Sequence, residues 1–169
     1  AYLNAGQCAR ADGRLKEAEQ YFRQSLAIKP EMPEPLLQLA DVLHHSGSNL
    51  QARAFLQRYT AVASPPASVL WLGYRIETAL GDASAAQEYG RRLKADFALS
   101  TETGLLLAAY AQTLAAFGKV DDLILSVPFA MRTHRRLEDF VGFVSSSCLL
   151  RARVGGGAGL DALALDLND

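Results

Sequence analysis

Apolar side chains recur with the period of an α-helix along most of the chain. Residues 15–28 show this most clearly, because their small or apolar side chains follow the i, i+3, i+4, i+7, i+8 spacing of one buried helical face. These side chains belong to Ala18, Tyr21, Phe22, Ser25 and Leu26. The same reasoning predicts helices at residues 1–11, 67–80 and 101–117, with others between them.

A short motif recurs along these helices at a constant interval. A glycine followed five residues later by an alanine occurs at Gly13, Gly47 and Gly81, at intervals of 34 residues. An aromatic or large apolar residue follows each alanine, and proline closes the first two copies. A 34-residue period with these landmarks is the signature of the tetratricopeptide repeat (TPR), a helix–turn–helix unit that stacks on copies of itself. The pattern therefore predicts an all-α TPR solenoid that acts as a protein-binding scaffold.

Three repeats are predicted, at about residues 1–30, 31–64 and 65–98, each with a first (A) and a second (B) helix. Ala52 is small because the two helices of its repeat cross closely there.

Two further predictions concern helix ends and a cysteine. Ser48 and Gln51 have the spacing of a capping box, and Asp82 is expected to cap the next B helix. Cys8 lies within the first A helix, where a small apolar thiol is expected to be buried.

The 34-residue register is lost beyond Ser100, because the next glycine, Gly118, comes three residues too late for a fourth repeat. We favour the interpretation that residues 101–117 form a capping helix, which shields the last apolar face of the stack. The solenoid then covers residues 1–117. The alternative is a degenerate fourth repeat, with residues 120–127 as its short B helix.

The remaining residues, 118–169, are predicted to be a partly helical C-terminal extension. Residues 129–144 read as a helix that combines apolar side chains with a basic patch, for which a solvated face is the favoured interpretation. Residues 155–169 are glycine-rich and then acidic and aliphatic, which predicts a disordered end.

Composition removes several classes of function. The formal net charge of the 169 residues is −1, with both signs interspersed, which argues against binding of nucleic acid. We find no phosphate-binding glycine loop, no nucleophile elbow and no zinc motif, so no catalytic residue, cofactor or metal is predicted. His44 and His45 are adjacent on a helix and point about 100° apart, so they do not readily share an ion. The chain starts within a repeat, so we expect any targeting segment to lie outside it.

In a TPR stack the A helices line a concave groove, and helix geometry identifies the positions that face it. We call this set the A-helix surface and predict that it binds the partner. It comprises Leu3, Gln7, Arg10, Glu34, Leu37, Asp41, His44, His45, Ser68, Trp71, Arg75 and Thr78. The mixture suits a peptide held by apolar anchors and hydrogen bonds, and tryptophan and arginine are favoured at binding hot spots. For Trp71, packing between repeats is an equally weighted alternative.

Several segments resemble the PilF/PilW family of type IV pilus biogenesis and stability proteins. They are LNAGQCA at residues 3–9, AEQYFRQSL at 18–26, ARAFLQRY at 52–59 and, most specifically, LWLGYRIE at 70–77. Ala98 stands where the family has a proline. The resemblance covers about residues 1–107 and corresponds to the later repeats of a longer family member.

The resemblance implies an outer-membrane lipoprotein facing the periplasm, a pilotin that helps a PilQ-type secretin to assemble and so supports twitching motility. It implies no catalytic residue, and membrane attachment only through a lipid anchor outside this chain. The alternatives are a TPR adaptor of another complex, or the substrate-recruiting TPR segment of a larger enzyme. Residues 108–169 do not match the family, and an extension, a fusion or a shifted reading frame would each account for them.

Overall fold

A computed structural model describes residues 1–130 and 145–154 of the chain. The described residues form seven helices and two strands, in two units that cover Ala1–Tyr89 and Gly90–Asp169. The helices are α1 (Tyr2–Ala11), α2 (Leu15–Ile28), α3 (Pro33–His45), α4 (Asn49–Val62), α5 (Ala67–Leu80), α6 (Ala83–Asp96) and α7 (Thr101–Gly118). The strands are β1 (Asp122–Ala130) and β2 (Ser145–Arg153), which pair as an antiparallel hairpin.

The three predicted turns are present and have the same conformation. Gly13, Gly47 and Gly81 have φ angles of 76°, 81° and 76°, in the left-handed region that glycine enters at least cost. The backbone hydrogen bond that closes each turn also repeats, with Arg14 N–H donating to Ala9 O, Ser48 to Leu43 and Asp82 to Glu77. The A and B helices therefore alternate with the 34-residue period, and the prediction of a TPR solenoid is confirmed.

The core of the first unit is built from small and large side chains that meet across each A–B pair. Ala18 and Ala52 are fully buried, and so is Phe22, whose ring covers Gly6. A Cβ atom added to Gly6 would lie 2.5 Å from the Phe22 ring, so only glycine fits beneath it. The predicted helical face of α2 is thus the face that packs.

The third repeat has the same packing of a ring on a glycine, but both residues lie one position earlier in the 34-residue register than their counterparts in the first repeat. Gly73 lies against Tyr89, where an added Cβ atom would come within 2.5 Å of the Tyr89 ring. The spacing of 16 residues between glycine and ring is the same as that between Gly6 and Phe22. As a result Tyr74, not glycine, occupies the position that corresponds to Gly6, and its ring stacks on Trp71.

Of the two capping predictions, one needs correction and one is confirmed. Ser48 does precede α4, but its side chain makes no capping hydrogen bond, and Gln51 instead accepts a hydrogen bond from Arg23 of the preceding B helix. Asp82 does cap α6, because its carboxylate accepts a hydrogen bond from the Ala85 N–H.

Cys8 is exposed, contrary to the prediction that it is buried. Its counterparts one and two repeats later, Val42 and Ile76, are fully buried. Both lie on A helices that pack against the B helix of the preceding repeat. The same position is therefore core in the later repeats and surface in the first.

The second unit contains α7 and the hairpin. α7 confirms the predicted helix, although its role as a cap stays a prediction. Buried residues of the helix pack with the hairpin in one cluster made of Leu107, Ala108 and Ala111 with Leu125 and Ala152.

The hairpin corrects the predictions for residues 120–127 and 129–144. Residues 122–130 are a strand, so the proposed short B helix is wrong, and the helix predicted from Phe129 does not begin there. The rest of that predicted helix, and residues 155–169, lie outside the described residues. Residues 122–130 suit a strand because burial alternates along residues 122–126 with a period of two. Leu125 is buried, whereas its neighbours Ile124 and Ser126 are exposed. On the exposed face, the Arg151 guanidinium donates hydrogen bonds to Asp122 and lowers the pKa of that carboxyl.

We expect Ala52→Leu to destabilise the first unit by about 1–3 kcal/mol, because the added side chain overpacks the fully buried A–B crossing. Urea unfolding followed by Trp71 fluorescence measures the loss. Ala54→Leu, an exposed position on the same helix, is the matched control. Equal stability of the two variants would mean that the helix faces are assigned wrongly.

Candidate functional site

The A-helix surface extends over three neighbouring helices, since α3 packs against both α1 and α5. None of its twelve predicted residues is fully buried. The half-buried members are Leu3, Leu37, Asp41, His44 and Trp71, and the exposed members are Gln7, Arg10, Glu34, His45, Ser68, Arg75 and Thr78. All twelve therefore have some surface available to a partner, and their role in binding stays a prediction.

An ion pair joins the first two repeats on this surface. Arg10 Nη2 lies 2.5 Å from Asp41 Oδ2, and Arg10 Nη1 donates a hydrogen bond of 2.6 Å to Gln38 Oε1. Gln38 in turn donates to Glu34 Oε1 at 2.7 Å. Asp41 Oδ2 is buried and accepts no hydrogen bond of good geometry within the described residues, so charge attraction holds it to Arg10. Most of the charge on this part of the surface is thus already paired.

The two histidines have separate partners. His44 Nδ1 lies 2.7 Å from Asn49 Oδ1 at the start of α4, and His45 Nδ1 lies 2.9 Å from the Asp41 carbonyl oxygen. Their rings meet edge to face, at an angle of 71°. Across the described part of the chain, no group of three potential ligands is placed to hold a metal ion.

A cleft of about 420 Å³ opens beside this network and is lined by Gln7, Arg10, Ala11 and Gln38. Its polar walls can offer hydrogen bonds to a peptide backbone. Sequence reasoning identified Gln7 and Arg10 but missed Gln38. The signal for Gln38 was present, because it lies four residues after Glu34 and therefore on the same side of α3.

The third repeat contributes an aromatic pair to the surface. The rings of Trp71 and Tyr74 stack with centroids 5.4 Å apart and planes within 8° of parallel. Both side chains are half-buried, so Trp71 is neither fully buried in the core nor fully exposed to solvent. Thr78, one turn further along α5, donates a hydrogen bond from its Oγ1 to the Tyr74 carbonyl oxygen. Tyr74 was missed by sequence reasoning, although its i, i+3 spacing from Trp71 predicts contact.

A buried carboxylate ties the second repeat to the third beneath this surface. Arg53 of α4 forms an ion pair with Glu77 of α5, and the Glu77 side chain is only 5% exposed. The Nη2 atom of Arg53 also lies 3.3 Å from Asp82 Oδ2. The hydrogen bond to Glu77 is the main cause that raises the pKa of Arg53 above its ordinary value. This contact helps to hold α5, and with it Trp71, in a defined position.

Comparison with known proteins agrees with the repeat architecture. The tetratricopeptide repeat family profile matches residues 9–68. The type IV pilus assembly protein PilF of Pseudomonas aeruginosa PAO1 is 30% identical over 78 residues, which are 46% of this chain and 31% of PilF.

Solved structures give the same result. The crystal structure of PilW, described as a widely conserved type IV pilus biogenesis factor, matches with a TM-score of 0.59 and 36% identity over 63% of this chain and 49% of PilW. The structure of Pseudomonas aeruginosa PilF matches with a TM-score of 0.58 and 26% identity, over 64% of this chain and 49% of that one. YrrB, a TPR protein with an unusual peptide-binding site, has a TM-score of 0.58 at 14% identity over 70% of this chain and 59% of YrrB, which shows the fold alone.

The turns, the A–B packing and these matches define a tetratricopeptide-repeat protein. Within that class it is a PilF/PilW-like protein, related to type IV pilus biogenesis factors. The chain spans about half the length of the PilW and PilF chains in the solved structures, and the sequence match to PilF covers about a third of that protein. No helix among the described residues is both long and apolar enough to cross a bilayer.

Proposed function

We propose that this protein is a non-enzymatic scaffold for type IV pilus biogenesis that assists assembly of a PilQ-type secretin in the outer membrane. The observation that carries the proposal is the 36% identity to PilW over 63% of this chain. The proposed place of action is the periplasmic face of the outer membrane, with a lipid anchor outside this chain as the means of attachment.

The A-helix surface is the proposed binding site. TPR proteins in general bind other proteins, and this surface combines an aromatic pair, a polar cleft and exposed charges. No chemistry is proposed for it, because among the described residues its paired polar groups form none of the nucleophile–base pairs that catalysis uses. We propose Trp71 and Arg75 as the residues that contribute most to binding.

The test is recovery of the secretin from a type IV piliated bacterium by the immobilised chain. We expect the parent chain to recover it, and Trp71→Ala to weaken binding by about thirtyfold, as loss of a hot-spot residue costs about 2 kcal/mol. Arg75→Ala should weaken it in the same direction. Arg23→Ala, which removes an exposed arginine from a B helix, is the matched control.

Three other outcomes would change the proposal. Equal recovery by all variants would keep the function and move the site away from the A-helix surface. Recovery of a different complex would favour the general adaptor. A catalytic domain in the full-length protein would favour the substrate-recruiting segment of an enzyme.

A further inference from the structure

The repeat itself predicts which charged groups should pair across each junction of the solenoid. Arg10 and Asp41, which join the first repeat to the second, are 31 residues apart. A shift of one 34-residue period turns them into His44 and Arg75, at the junction of the second repeat with the third. At the first junction these two positions hold a base and an acid that pair, whereas at the second junction both positions hold basic residues.

The contacts of the two junctions differ accordingly. Asp41 of the first junction is 17% exposed and is held by Arg10. At the second junction, His44 Nδ1 is directed to Asn49 Oδ1, and Arg75 is exposed. Within residues 1–130 and 145–154, no carboxylate lies within ion-pair distance of the Arg75 guanidinium. The position at which the repeat would supply an acid is thus filled by a cation.

An apolar platform adjoins this cation. Trp71 lies four residues before Arg75, one turn away on the same side of α5, and its ring stacks on Tyr74. The surface therefore combines a free positive charge with a stacked pair of rings that are still half-exposed. A ligand that matches both features carries a carboxylate beside an apolar or aromatic side chain, because such a ligand satisfies the charge and covers the rings.

We propose that the junction of the second and third repeats binds an acidic segment of the protein partner, with a carboxylate on Arg75 and a neighbouring apolar side chain on the Trp71–Tyr74 pair. This inference rests on the proposed function, since it assigns a chemistry to the same partner surface. The partner's carboxylate pairs with Arg75 as the Asp41 carboxylate pairs with Arg10 at the first junction. The first junction offers no unpaired positive charge to a ligand, because Arg10 is already paired with Asp41.

The test uses two blocked hexapeptides that contain phenylalanine next to either aspartate or asparagine. Trp71 is the only tryptophan of the chain, so its fluorescence reports binding at this place. We expect the aspartate peptide to bind the full chain about fivefold more tightly than the asparagine peptide at low salt, a difference typical of a partly exposed ion pair. The ratio should shrink as salt is added, because salt screens exposed charges.

Two variants locate the charge that is responsible. Arg75→Gln should bring the ratio of the two affinities to one, whereas Arg23→Gln should leave it unchanged, because Arg23 is an exposed arginine of a B helix and lies outside the A-helix surface. Circular dichroism checks that both variants keep the helical fold. Equal binding of the two peptides by the parent, no binding of either, or a ratio that survives Arg75→Gln would each overturn the inference. Secretin recovery together with such a result would leave the proposed function standing, so the two failures are distinguishable.

Discussion

Replacing Phe22 by alanine is expected to lower the free energy of unfolding of the first unit by about 3–5 kcal/mol, the usual cost of deleting a buried phenylalanine ring. The side chain is fully buried and lies directly over Gly6. Gly6 has no side chain that could move into the vacated space, so α1 and α2 would have to collapse as whole helices to fill it. Chemical unfolding followed by Trp71 fluorescence measures the effect, since both residues belong to the first unit.

Ile28→Ala is the control for this experiment. It removes an apolar side chain from the same helix, but one that is 67% exposed, and we expect a change within about 0.5 kcal/mol. A similar loss for both variants would mean that α2 does not pack by the face on which Phe22 lies. A small loss for Phe22→Ala would mean that the first repeat is loosely packed and tolerates the cavity.

The TPR architecture was predictable because the residues that determine it are local and repeat. Gly13, Gly47 and Gly81 each close a turn that requires a positive φ, and the alanine five residues later sits at a close helix crossing. Neither requirement depends on distant parts of the chain. Three copies of the motif at a constant interval were therefore enough to predict three A–B pairs, which are six helices.

The hairpin could not be predicted in the same way. The residues of β1 are almost all apolar or small, so the burial of Leu125 between the exposed Ile124 and Ser126 gives only a weak alternation. Its partner strand pairs Leu125 with Leu150, and that pairing is a long-range property of the chain. A short apolar stretch of this kind suits a helix or a strand equally well until its partner is known.

For the candidate site, sequence reasoning identified the helix faces but not the pairing of the charges. Arg10, Asp41 and Arg75 were all assigned to one surface, yet the first two neutralise each other and the third is unpaired within the described residues. That difference depends on how neighbouring repeats are stacked, and a 34-residue pattern alone does not state which side chains reach across. Glu77 was missed for the same reason, because a buried carboxylate at a repeat junction needs Arg53 from another helix.

Replacing Arg53 by methionine is expected to lower the midpoint of thermal unfolding by several degrees, because it leaves the Glu77 carboxylate buried without its cation. The side chain of Glu77 is 5% exposed, so water cannot readily take the place of the guanidinium. Arg75→Met, which removes an exposed arginine from the same repeat junction, should change the midpoint little. Circular dichroism during heating measures both variants.

A second change separates the loss of the ion pair from the loss of Arg53 packing. In the double variant Arg53→Met with Glu77→Met, no buried charge remains, and apolar replacements of a whole pair are commonly neutral or stabilising. We therefore expect the double variant to regain most of the stability that Arg53→Met loses. If the double variant is as unstable as the single one, the long Arg53 side chain stabilises the junction by packing, and the carboxylate of Glu77 tolerates burial without it. Recovery would instead show that the single variant is destabilised by the unpaired Glu77 carboxylate and not by the loss of Arg53 packing.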